Sequence, residues 1–142
     1  MKQISFRISI LSLFLVGFAF CTFAQTSPES LYEKHERKKN LTIREYNSDA
    51  KGKSKWMDHL TVYNAKGFKI EEIEYATYGQ REKVIFEYDA NDLCVKEVVY
   101  DDHNKVSRVR KYTYNTDGTR KTQYNYLPNG RLYSTKVYQY TR

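Results

Sequence analysis

The residue types that most often carry chemistry are sparse in this chain, and their spacing limits what they could do. His35, His59 and His103 stand far apart. "DDHN", from Asp101 to Asn104, sets two acids beside a histidine, as a metal loop would, but the same residues describe a solvated turn, and no second histidine stands at ligand spacing from His59. Glu71, Glu72 and Glu74 offer carboxylates beside Lys69, yet acid–base work needs an enclosed site that shifts a pKa. Exposed charges on a solvated strand account for them. Cys94 has no His or Asp directly beside it and reads as a half-buried strand residue. No glycine-rich phosphate loop, nucleophile elbow or Cys–His pairing appears. The expectation is a chain that is not an enzyme and needs neither metal nor cofactor.

A mixed basic and aromatic constellation is more informative. Arg108, Arg110, Arg120 and Lys136 alternate with Tyr112, Tyr124 and Tyr138. Guanidinium groups grip carboxylate or phosphate in a fork, and tyrosine rings can stack on sugar faces. Such ladders also hold a single-layer sheet together through cation–π and cross-strand pairs, each worth about 0.5–1 kcal/mol. A binding surface and a purely structural ladder both fit these seven residues.

Those residues need strands to position them, and the sequence supplies a repeat. Tyrosines precede turn-like tetrapeptides at Tyr63, Tyr75, Tyr88, Tyr100, Tyr114 and Tyr126: "NAKG", "ATYG", "DAND", "DDHN", "NTDG" and "LPNG". Each tetrapeptide ends in Gly, Asp or Asn, the residues that best tolerate positive φ. Between them run segments rich in β-branched and aromatic residues, such as "KVSRVRKYTY". The spacing predicts an all-β antiparallel meander of successive hairpins. A three-residue loop with a left-handed glycine sets Tyr114 opposite Arg120, Tyr112 opposite Thr122 and Arg110 opposite Tyr124. The same rule sets Tyr126 opposite Leu132 and Thr122 opposite Lys136. All the turn tyrosines then share one face with the basic residues, and Lys121 lies on the other. At "ATYGQ" the strand count changes parity, so a bulge or a loop of different size is expected there.

The chain begins with "MKQISFRISILSLFLVGFAFCTFAQ": Lys2 and Arg7, an apolar run, then Thr22 and Ala24 ahead of Gln25. That is the layout of a cleaved secretory signal peptide, residues 1–24. Removing it leaves 118 residues and lowers the formal charge from +7 to +5. Cys94 becomes the one remaining cysteine, so no internal disulfide can form. All fourteen tyrosines follow Gln25, whereas Leu, Ile, Val and Phe together make up 20 of those 118 residues. A chain that folds on tyrosine has half-exposed faces, because the ring is apolar and the hydroxyl can stay wet. Residues 25–55 read as a short helix, capped by Ser27 with Pro28 and Glu29 in its first turn and ending near Lys38 and Lys39, then a first strand and a basic loop. Residues 56–142 form the hairpin domain.

The stretch from Phe86 onward, with "YDAND", "YNTDG" and "LPNGRL", resembles the YD repeats of the RHS family, over roughly Trp56 to Arg142. The resemblance implies a twisted, coiling β-sheet that serves as shell or binding surface. No toxin or protease segment accompanies it. Export and a modest charge argue against nucleic acid, and cleavage leaves no stable membrane span. The protein is expected outside the cytoplasm: secreted, periplasmic or on the cell surface. Two functions are expected of it. One is a non-enzymatic module binding an envelope glycan or acidic polymer through the Tyr/Arg face. The other is a structural or adaptor protein whose last strand, Arg131 to Tyr140, pairs with another chain.

Overall fold

The structure, a computed structural model, describes residues 30–141. The signal-peptide segment and the expected cap at Ser27, Pro28 and Glu29 lie outside the described residues. A short helix, α1 (Leu31–Glu36), precedes eight strands: β1 (Thr42–Ser48), β2 (Lys55–Tyr63), β3 (Lys69–Ala76), β4 (Gly79–Tyr88), β5 (Cys94–Tyr100), β6 (Val106–Tyr114), β7 (Arg120–Tyr126) and β8 (Leu132–Val137). They form one antiparallel sheet in sequence order, the meander expected from the spacing. The sheet begins at Thr42, so β1 belongs to it although it precedes Trp56.

Five of the loops close alike. In Asn64–Gly67, Asp89–Asp92, Asp101–Asn104, Asn115–Gly118 and Leu127–Gly130, the fourth N–H donates to the first carbonyl at 2.9–3.1 Å. The fourth residue is left-handed in each, with φ of 79° at Gly67, 62° at Asp92, 58° at Asn104, 80° at Gly118 and 81° at Gly130. Asn64, Asp89 and Asp101 add a side-chain oxygen that accepts from two later N–H groups of the same loop, the local bonding that favours these residues in turns. The β3–β4 hairpin departs as expected: Ala76 pairs with Gly79 around a two-residue loop, and a bulge follows.

That bulge is not special to β3–β4. All seven hairpins carry one, with the extra residue on the later strand one to three pairs beyond the turn: Asp58, Ile70, Arg81, Val95, Ser107, Lys121 and Tyr133. This corrects the expected registers. Tyr114 does face Arg120 and Tyr126 does face Leu132. One step further from the turn, however, Tyr112 pairs with Gln123, Arg110 with Asn125, Lys111 with Tyr124 and Lys136 with Gln123. Because side chains alternate with period 2, one inserted residue moves every later side chain to the other face.

The turn tyrosines therefore divide between the faces. One face, here face A, carries the row Thr61–Glu72–Val84–Val99–Arg108 and the row Phe86–Glu97–Arg110–Asn125–Ser134. Face B carries Val62–Glu71–Ile85–Val98–Val109–Tyr126–Leu132. Tyr88, Tyr114 and Tyr140 repeat one contact: their hydroxyls donate to the carbonyls of Lys69, Cys94 and Arg120 at 2.8, 2.6 and 2.8 Å. Lys69, Cys94 and Arg120 are the first residues of β3, β5 and β7. Alternate tyrosines of the series thus tie one hairpin to the preceding one, which accounts for Tyr88, Tyr114 and Tyr140.

The helix starts later than expected. Ser30 is the cap, and Ser30 and Glu33 form a reciprocal capping box, as Ser-x-x-Glu allows. The helix does not cover the sheet: Leu31 and Tyr32 are exposed. It rests on the β2–β3 turn, where the His35 ring packs tilted against Phe68, centroids 4.4 Å apart, and Phe68 tilted against Tyr88 at 5.1 Å. No helix among the described residues is long and apolar enough to cross a membrane.

Candidate binding surface

Face A sets a network of charged residues around a small buried centre. Val99 is fully buried, and Tyr112 and Glu97 are 6% and 7% exposed. With no second layer over them among the described residues, they are covered by the long side chains of their own face. Glu97 is the hub. Its carboxylate accepts from Arg110 Nη1 at 2.7 Å and stands 4.0 Å from Arg120 Nη2. Arg120 in turn lies over the Tyr112 ring, 4.1 Å from its centroid. Arg108 donates to Glu82 at 2.8 Å, Lys69 donates to Glu72 at 2.8 Å, and Arg81 pairs with Glu74. A groove of about 280 Å³ runs between these groups, lined among others by Glu72, Glu74, Glu82, Phe86, Glu97 and Arg110.

Six of the seven residues singled out from the sequence share this face: Arg108, Arg110, Tyr112, Arg120, Lys136 and Tyr138. Tyr138 reaches it by donating its hydroxyl to Gln123 at 3.0 Å, with Lys136 Nζ 5.0 Å from its ring centroid. Tyr124 does not join them, since its partners Lys111 and Thr135 belong to face B. Lys121, expected opposite the basic face, is the extra residue of the β6–β7 bulge.

The six are not equally free. Arg108 and Arg110 are engaged by Glu82 and Glu97, glutamates that the reading of the sequence passed over. Their signal was present: acids crowd the centre of the chain, with eight Asp and Glu against four Lys and Arg in 69–100. The segment 106–141 has the reverse balance, seven Lys and Arg against Asp117 alone. Among the described residues, Arg120 has no carboxylate closer than 4.0 Å, and Lys121, Arg131 and Lys136 make no ion pair.

Titration reflects the same packing. Burial first, and then the Glu97 carboxylate, push the Tyr112 phenol well above its ordinary range. Burial pushes the Tyr88 phenol up to about 12. The Cys94 thiol is also raised, chiefly by burial, and is half-buried as its strand position suggested. A raised thiol is a weaker nucleophile at neutral pH.

Asp101, Asp102 and His103 do converge, within 4.8 Å of one another. Turn bonding accounts for them: Asp101 accepts from the N–H groups of His103 and Lys105, and His103 Nδ1 lies 2.7 Å from Asp102. Bonding to the Lys105 N–H holds the Asp101 carboxyl below its usual range. His59 sits 3.7 Å from both Asp58 and Glu74 on the rim of face A.

No protein-family model matches the chain, and no curated protein matches it. Among solved structures it is similar to a point mutant of S. aureus TarM in complex with fondaparinux, α-GlcNAc-glycerol and UDP. The identity is 20% and the TM-score 0.27, over 72% of this chain and 20% of that one. The chain thus spans one fifth of that structure, and at such a TM-score the likeness carries no argument about this protein.

Proposed function

We propose that this chain is an exported, non-enzymatic interaction module of YD-repeat type that acts as an adaptor, joining a larger assembly by strand addition at β8. The observation that carries this reading is the state of β8. All six of its residues are exposed, with Leu132, Tyr133 and Val137 at 49%, 73% and 65%. The Tyr138 N–H donates to the Lys121 carbonyl. Alternation in an antiparallel ladder then directs the backbone groups of Ser134 and Lys136 toward β7, and those of Thr135 and Val137 outward. An edge of this kind, six residues without proline and with one charge, is a template for another strand. Amide hydrogen exchange tests it. Mixing the protein with an envelope fraction of its host should protect the amides of Thr135 and Val137. Unchanged exchange there, with binding detected elsewhere, would overturn the adaptor reading.

One corner of face A favours a second reading, in which an acidic polymer or envelope glycan lies across the sheet. Arg120, Tyr138 and Lys136 combine two cations lacking a short ion pair with a ring between them. On this reading Arg120→Ala weakens binding of an acidic polysaccharide and flattens its salt dependence, while Tyr124→Ala, on face B, has no effect. Equal losses from both variants would exclude face A as the contact.

A further inference from the structure

We infer that the strand added to β8 is an acidic one, an extended segment of another protein with carboxylates at alternate positions facing Lys136. This rests on the edge-pairing reading above and adds the chemistry of the partner. On face A, charge is matched strand by strand up to β6: Lys69 with Glu72, Arg81 with Glu74, Arg108 with Glu82, Arg110 with Glu97. In each pair the carboxylate lies on β3, β4 or β5. The pattern thins at β7, where Arg120 stands 4.0 Å from Glu97, and at β8, where Lys136 meets no acid among the described residues. A ninth strand occupies the place from which those acids are missing. Its face A side chains would stand beside Lys136, with Arg120 and Tyr138 behind. Its face B side chains would meet Val137 and Thr135, which calls for Val, Thr or similar residues between the acids.

A second copy of this chain is a poor occupant. Two β8 edges would bring together two segments that each carry a net charge of +6. The other open edge, β1, leads into the Lys51, Lys53 and Lys55 loop and offers Glu45 as its one acid. Like charge across an interface disfavours association.

The test uses the protein with three labelled ten-residue peptides: one alternating Glu and Thr, one alternating Gln and Thr, and the Glu peptide N-methylated at alternate residues. Binding is read by fluorescence anisotropy at low salt, with urea midpoints confirming that each variant is folded. The Glu peptide should bind about two- to fivefold more tightly than the Gln peptide, the equivalent of one cross-strand charge pair with Lys136. Lys136→Glu should remove or reverse that preference. Thr135→Pro deletes an outward N–H and leaves the β7 bonds intact, as edge strands tolerate. It and N-methylation should each abolish binding of the Glu peptide. Equal binding of Glu and Gln peptides would overturn the acidic-partner inference while leaving edge pairing in place. Binding of the Glu peptide that survives both Thr135→Pro and N-methylation would overturn edge pairing and identify a charge contact only. Self-association of the protein through β8 at the working concentration would overturn the choice of an acidic partner.

Discussion

Replacing Glu97 by alanine tests whether face A is held together by its charges. The Glu97 side chain keeps 9% of its exposure and Arg110 keeps 27%, so both are largely out of water. Breaking a buried pair typically costs about 3–5 kcal/mol, because the remaining charge is left unmatched, whereas exposed pairs are worth about 0–1 kcal/mol. Arg110 can rehydrate partly through its exposed quarter, which places Glu97→Ala between these limits, at about 2–3 kcal/mol. The loss also leaves Arg120 without its nearest carboxylate and opens space beside Tyr112 and Val99. Glu82→Ala breaks the Arg108 pair, whose side chains are 33% and 42% exposed, and should cost about 0.5–1 kcal/mol. With a urea slope of about 1.5–2 kcal/mol per molar, Glu97→Ala lowers the midpoint by about 1–2 M and Glu82→Ala by about 0.3–0.7 M. The double variant Glu97→Ala/Arg110→Ala should be less destabilised than the sum of the singles, since the unmatched guanidinium is gone. Equal midpoints for Glu97→Ala and Glu82→Ala would refute the argument that burial makes Glu97 the hub.

Turn strain gives a graded expectation: Gly118→Val should cost about 1–2 kcal/mol for its left-handed φ, with Thr116→Ala near neutral, and equal urea midpoints would contradict it. Gly67→Ala should cost more than Gly118→Ala, because the backbone of His35 occupies the place of the new Cβ whereas the space at Gly118 is open. The Tyr88 phenol, at about 12 folded against 10.0 for the free group, keeps its proton longer in the native state. Its contribution is therefore complete below pH 10 and lost as pH rises to 12, and Tyr88→Phe should flatten the fall of the urea midpoint across that window. Cys94 should react with iodoacetamide at pH 8 more slowly in the folded protein than in urea; equal rates would contradict its burial. N-terminal sequencing of the protein isolated from its host should begin at Gln25, and a retained Met1 would refute cleavage.

The sequence by itself determined the meander, the places of its turns and their left-handed closing residues. Those properties are local: a residue such as Gly118 or Asn104 meets its conformational requirement within four residues of chain. It also determined which residue faces which beside each turn, as Tyr114 with Arg120. What only the tertiary structure decided was the face on which each later side chain falls. One extra residue per hairpin, such as Lys121 or Ser107, has no marking side chain of its own, yet it inverts everything beyond it. Arg110 thereby meets Asn125 instead of Tyr124, and Tyr124 leaves the basic face. The reach of Tyr88, Tyr114 and Tyr140 to the start of an earlier strand, and the placement of Glu82 and Glu97 against Arg108 and Arg110, likewise join residues 13 to 26 positions apart. Such pairings depend on which strands are neighbours and on where each bulge sits, and both are settled when the whole sheet is laid down.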